Sequence, residues 1–323
     1  MELNIKIFIK YSLGIFLYPF FREYPQVFVY HEVTDNPNEH AIKSNTYVTP
    51  EIFEKQLQWI LKRYYVLDPS KLLNNCIERK DKPFALITFD DGHESIFKNA
   101  APILRKYNLK ALLFLNMEPF EGGHFIAGIV SYFMDRDKSF KEKILKAKIK
   151  KKDPLLRVKK KDIDRLINLA TKNKLKNEIY TYSCNFVTYS NAKENTDTFT
   201  YGNHLYNHYN ASMLSLEDLN FQFDQNIKSL KKINGSTEFF AYPYGQKESC
   251  YNKKTDLFMR NKKVKKVFYS SGCLNKNLKS FSIDRISAGN KFELGYMKYI
   301  TSAIHPIKDI KNFILKTCRV SFY

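Results

Sequence analysis

Leu86–Ser95 reads "LITFDDGHES": an apolar run that ends in two adjacent aspartates and a glycine. Like charges at that spacing repel, and burying an ionised carboxylate costs several kcal/mol unless something pairs with it. Either Asp90 and Asp91 sit exposed in a turn, or they close a buried strand and face a cation. The preceding "PFALITF" reads as a strand apolar on both faces, as strands of a parallel sheet tend to be.

The neighbouring segments carry the same rhythm. "QVFVYHE" reads as a short buried strand ending at His31, and "YVLDP" and "KALLFLN" as further strands. Between them, "VTPEIFEKQLQWILKRY" is a helix with Thr49 as N-cap and Pro50 in its first turn, and Phe53, Leu57 and Ile60 or Leu61 on one face. "FKNAAPILRKYN" continues the alternation as a helix. Later, "SLEDLNFQFDQNIKSLKKIN" opens on Ser215 with Asp218 three residues on, and places Phe221, Ile227 and Leu230 along its apolar side. Strand-like "EFFAYPYG" and "KKVFYSS" enclose a helical "KTDLFMRN". Strands alternating with helices give an α/β fold with a parallel sheet, open or closed into a barrel. In either case the chemistry lies at the C-terminal ends of the strands, where His31 and the aspartate pair fall.

Composition narrows the partners. The 323 residues include 53 Lys+Arg against 33 Asp+Glu, a formal charge of +20 that attracts polyanions without choosing among them. Five scattered cysteines with no CxxC argue against a disulfide framework and a cysteine zinc site, and for a reducing compartment. The interval from about Lys138 to Lys176 is dominated by lysine and reads as a helical surface insertion broken near Pro154. A solvated face is its ordinary meaning; the alternative is a clamp for an acidic partner or membrane surface. The apolar run between Lys10 and Arg22 is too short to span a bilayer. It is read either as an interfacial arm over residues 1–24 or as a first core helix.

"YGNHLYNHYNASMLS" supplies His204 and His208. Four apart, they would share one side of a helical turn, a spacing that suits zinc or a similar metal but that ordinary surface histidines also show. "FFAYPYGQ" taken alone is a strand followed by a turn.

In this order, "TFDDG", "HLYNH" and "AYPYG" resemble the successive motifs of the polysaccharide deacetylases, the NodB-homology enzymes of carbohydrate esterase family four. "VFVYHEV" is similar to the Tyr-His strand of the poly-N-acetylglucosamine deacetylase subgroup. The resemblance implies a distorted (β/α) barrel over residues 25–323 with the lysine-rich helical insertion at about 120–200. It implies Asp90 as general base, Asp91, His204 and His208 as metal ligands, and the backbone N–H of Tyr244 as oxyanion donor. Zinc is the expected ion, other divalent transition metals suiting the same donors. His31 is expected as general acid in preference to His305, whose flanks match poorly. Ala241 stands where the third motif often has an arginine, so Arg285, partnered by Asp284, is the expected substitute. Leu205 and Tyr209 also depart from the pattern.

The function implied is hydrolysis of an N-acetyl or related acyl amide on a sugar of a polysaccharide or glycolipid precursor. The expected location is cytoplasmic, with peripheral contact at the inner face of the membrane. Three alternatives compete: a basic nucleic-acid binder, for which no motif is present and which is not expected; a catalytically dead glycan-binding relative; and a barrel amidohydrolase for a small non-sugar amide.

Overall fold

The computed structural model describes residues 2–73, 81–146, 156, 158–183, 186, 188–235, 238–246 and 249–303. Eight strands form its main sheet: β1 (Gln26–Tyr30), β2 (Phe84–Asp91), β3 (Ala111–Leu115), β4 (Phe199–Asn203), β5 (Phe239–Ala241), β6 (Lys266–Tyr269), β7 (Ser282–Asp284) and β8 (Ile286–Ser287). They lie in the order β7-β6-β5-β4-β3-β2-β1-β8, all parallel, with the short Tyr65–Val66 strand beside β2. Only Arg285 separates β7 from β8, yet these two pair with opposite ends of the path. The sheet therefore nearly closes into a barrel, and Arg285 sits at the seam.

Alternation along the strands divides the apolar residues. Val27, Leu86, Leu112, Phe114, Phe239, Ala241, Phe268 and Ile283 gather in one buried cluster, and Phe28, Ile87, Phe89, Leu113 and Phe199 in another. The second receives the helix Pro50–Arg63 through Phe53, Leu57 and Ile60, all fully buried. Thr49 caps that helix, accepting from the Ile52 N–H. Each such aromatic or leucine contributes about 1.5–3 kcal/mol on burial.

The helix Leu216–Leu230 starts at the expected cap, with the Asp218 N–H donating to Ser215 Oγ at 3.0 Å. Its buried stripe differs from the expected one. Leu219, Phe223 and Leu230 face inward with Gln222 and Asn226, whereas Phe221 is 60% exposed. The polar residues take the inward positions because their amides satisfy backbone groups around the site: Gln222 Oε1 accepts from the Asn207 N–H, and Asn226 Nδ2 donates to Leu115 O.

Between β3 and β4 the chain adds the helices Ile126–Arg136, Lys138–Lys146, Lys160–Lys172, Lys176–Ser183 and Tyr189–Glu194. Their apolar sides, among them Ile129, Phe133, Phe140, Ile144, Ile163, Leu166 and Tyr182, form a separate core. The break expected near Pro154 lies outside the described residues. At the other end of the chain, the helix Glu2–Phe21 packs on Leu294–Ala303. Ser302 Oγ donates to Gly14 O, and a Cβ at Gly14 would come within 2.5 Å of the Tyr299 backbone. Phe8, Phe16 and Phe20 remain exposed on that helix, and no described helix is long and apolar enough to cross a membrane.

Candidate active site and metal centre

The two aspartates of β2 are both buried, yet they serve different partners. The backbone separates them: Asp91 has φ +73°, in the left-handed region that non-glycine residues rarely enter, and Gly92 follows at φ +98°. A Cβ on Gly92 would fall 2.6 Å from Leu115 and 2.9 Å from Phe120, so only glycine fits.

Asp90 faces the barrel seam. Arg285 holds it in a bidentate fork, Nη1 to Oδ1 at 2.6 Å and Nη2 to Oδ2 at 2.8 Å. The guanidinium is 1% exposed, lies over the Phe114 ring, and donates again to Tyr269 O and Ser270 Oγ. Burial alone would raise the Asp90 pKa. Arg285 foremost, with His204 and His31, instead holds it below the usual carboxylate range. The Asp284 expected as partner of this arginine turns elsewhere: its carboxylate accepts from the backbone N–H of Gly272 and of Arg285. The buried carboxylate inside the barrel outcompetes the adjacent one. At Ala241, where the family pattern has its arginine, the carbonyl accepts instead from His204.

Asp91 faces the histidines. His208 Nε2 is 3.3 Å and His204 Nε2 3.6 Å from Asp91 Oδ1, and one ligand atom from each of the three side chains lies within 4.8 Å of the others. Their spacing is not helical, contrary to expectation. Residues 204–208 form a loop after β4 in which Leu205 (φ +59°) and His208 (φ +60°) are left-handed. Three buried asparagines pin that loop. Asn116 Nδ2 donates to the carbonyls of His204 and Leu205, Asn203 Oδ1 accepts from the Leu205 N–H, and Asn226 Nδ2 donates to Asn203 Oδ1. Asn226 is one of the inward polar residues of the Leu216–Leu230 helix.

The donor set fits a divalent cation. His204 Nδ1 lies 2.8 Å from Ala241 O, which fixes the proton there and leaves the Nε2 lone pair facing Asp91. Asp91 Oδ1 is buried with no hydrogen-bond partner among the described residues. An orphaned carboxylate oxygen and an imidazole lone pair converging on one point are costly without a positive charge between them. Two imidazoles and a carboxylate suit zinc and similar ions. The neighbouring imidazoles hold Asp91 ionised despite burial, and burial lowers the His208 pKa to about 3, keeping that ring a neutral ligand.

His31 approaches from β1, its Nε2 3.9 Å from Asp90 Oδ2. Its side chain is 25% exposed, whereas Asp90, Asp91, His204 and His208 are each at most 5% exposed as residues. Burial lowers the His31 pKa, with Asp91 and Asp90 opposing. Tyr244, left-handed at φ +62° in the turn after β5, sets its ring 4.7 Å from that of His208. A Cβ on the next residue, Gly245, would fall 2.6 Å from Ser270 N, which fixes glycine in this turn. Phe125, from the insertion, packs its ring 5.3 Å from His208. His305 lies outside the described residues. Sequence reasoning missed the asparagine net, Phe125, and also His93, two residues beyond Asp91; the burial of His93 at 2% exposed had no signal beyond its place in the motif.

Comparison with known proteins agrees with this geometry. The polysaccharide deacetylase family profile matches residues 78–124, the segment holding the aspartate pair. YxkH of Bacillus subtilis (strain 168), named for that family, is 32% identical over 81 residues, 24% of this chain and 29% of its own length. The matched stretch thus spans less than a third of that relative. Among solved structures, the Streptococcus pyogenes deacetylase PplD in complex with acetate superposes with a TM-score of 0.53 at 20% identity, covering 82% of this chain and 92% of that one. A de-N-acetylase from Aggregatibacter actinomycetemcomitans gives 0.54 at 15% identity, covering 85% and 99%. The segment 78–124 is thus similar to the polysaccharide deacetylases, and the nearly closed parallel barrel around it has the fold of the solved deacetylase structures.

Proposed function

We propose that the chain is a metal-dependent deacetylase that hydrolyses an N-acyl amide on a sugar of a polysaccharide or glycolipid precursor. The observation that carries this reading is the convergence of Asp91, His204 and His208 beside an Asp90 clamped by Arg285. Asp91, His204 and His208 would hold the ion, zinc or another divalent transition metal, which when bound supplies Lewis acidity to the scissile carbonyl and acidifies a water.

The remaining steps belong to the protein. Asp90, kept ionised and oriented by Arg285, takes a proton from the attacking water as the C–O bond forms. The Tyr244 N–H donates to the developing oxyanion. His31, beside Asp90 and more exposed than Asp90, Asp91, His204 and His208, gives a proton to the sugar nitrogen as the C–N bond breaks, leaving a carboxylate and a free amine. The exposed aromatic face of the Glu2–Phe21 helix, beside Lys10 and Arg22, supports peripheral contact with a membrane where a lipid-linked substrate would lie.

The test is acetate release from N-acetylhexosamine oligomers by purified protein, with added Zn²⁺ and after chelation. Metal-dependent release with matching free amine supports the reading; no release from any oligomer or monomer overturns it. The burial of four of the five central side chains favours a second reading, a small non-sugar amide as substrate. Release from small N-acyl amides but not from oligomers would select it.

A further inference from the structure

We propose that His93, backed by Glu32, is a positioning residue that aims Asp91 at the metal; the inference rests on the metal site proposed above. His93 Nε2 lies 3.7 Å from Asp91 Oδ2, the oxygen turned away from His204 and His208. On the other side of the ring, Nδ1 lies 3.8 Å from Glu32 Oε1 and is buried with no hydrogen-bond partner among the described residues. Whichever ring nitrogen carries a proton, a carboxylate faces it. All three groups are buried: Glu32 is 4%, Asp91 4% and His93 2% exposed.

The surroundings fix this line. Asn38 Nδ2 donates to Glu32 Oε1 at 3.1 Å. Glu32 begins a two-residue strand pairing with Tyr47–Val48, and Val33 is tied to the chain just after His93, its N–H donating to Ser95 Oγ and its carbonyl accepting from Asn99 Nδ2. The imidazole is stacked on Phe186 at 4.7 Å and meets the edge of Phe125 at 5.6 Å. The two phenylalanine rings, 5.2 Å from each other, pack the imidazole from one side, and a carboxylate faces each of its nitrogens, which restricts its orientation.

A carboxylate that binds a metal through one oxygen needs its other oxygen anchored, or it rotates away; such supporting contacts are worth about 10–100-fold in metal affinity. The end of β1 therefore serves the two aspartates separately. His31 faces Asp90, and Glu32, through His93, steadies Asp91. The left-handed backbone of Asp91 orients the carboxylate, and His93 locks it.

The experiment is titration of metal-free full-length protein with Zn²⁺ alone, followed by calorimetry and chelator competition. His93→Phe keeps the aromatic stacking and removes the polar contact; His93→Gln keeps an N–H donor; Glu32→Gln removes the backing charge. The expected result is a loss of about 10–100-fold in affinity for His93→Phe, a smaller loss for Glu32→Gln, and partial recovery in His93→Gln. Far-ultraviolet circular dichroism of the metal-free proteins should be unchanged. If both His93 variants bind Zn²⁺ like the wild type while Asp91→Asn does not, the positioning role is wrong and the metal site stands. If the wild type takes up no Zn²⁺, the metal site itself is wrong.

Discussion

At the end of β2 and on the insertion helices, the chain handles charge in opposite ways. Around Asp90 and Asp91 every charge is buried and has a named opponent: a guanidinium fork for one, imidazoles for the other. On Lys138–Lys146 and Lys160–Lys172 the lysines stand in water. Lys143 meets Asp162 at 2.6 Å and Lys146 meets Glu142 at 3.3 Å, but these lysines are 52% and 80% exposed. The insertion is held by Phe140, Ile144, Ile163 and Leu166 on its inner side, not by its charges. Burial is what gives a charge chemical consequence here, because removing water makes each missing partner expensive.

The sharpest way to test this contrast is at Asp90. Asp90→Asn keeps shape and burial but removes the base, so kcat should fall by roughly 10²–10⁴-fold with metal content unchanged. Removing the opponent is next. Arg285→Met leaves Asp90 buried and unpaired, and urea unfolding should register a loss of about 3–5 kcal/mol. Arg285→Lys should recover only part, because an ammonium cannot reproduce the fork.

His40 lies between the two regions, 7% exposed, its Nδ1 2.9 Å from Ser131 Oγ on the insertion. Burial lowers its pKa to about 4 from the ordinary 6.5. Between those values the unfolded chain binds more protons than the folded one, so stability present above pH 6.5 is lost as pH falls towards 4. His40→Gln should lose about 2 kcal/mol less than wild type between pH 7.5 and pH 5, measured by urea unfolding at each pH. The smallest effect is expected on the insertion: Lys143→Ala should change stability by at most about 1 kcal/mol, less in high salt. A larger effect there would break the comparison.

Much of this was legible because the fold repeats one local rule. Helix caps announced themselves at Thr49 and at Ser215, and the aspartate pair and His31 fell at strand ends. The illegible part depended on contacts between distant segments. That His204 and His208 converge through left-handed loop residues rather than a helical turn depends on Asn116, Asn203 and Asn226. That Arg285 pairs with Asp90 and not with its neighbour Asp284 depends on the sheet closing at that residue. That Phe221 faces solvent follows from the demand of the loop for buried amides on the other side of its helix.

The central claim is that Asp91, His204 and His208 hold one divalent ion, and elemental analysis after equilibrium dialysis against Zn²⁺ tests it most directly. One ion per wild-type chain, and none in Asp91→Asn or His204→Ala/His208→Ala, is the predicted result. Retention of the ion by the double histidine variant, or no ion in the wild type, would contradict it.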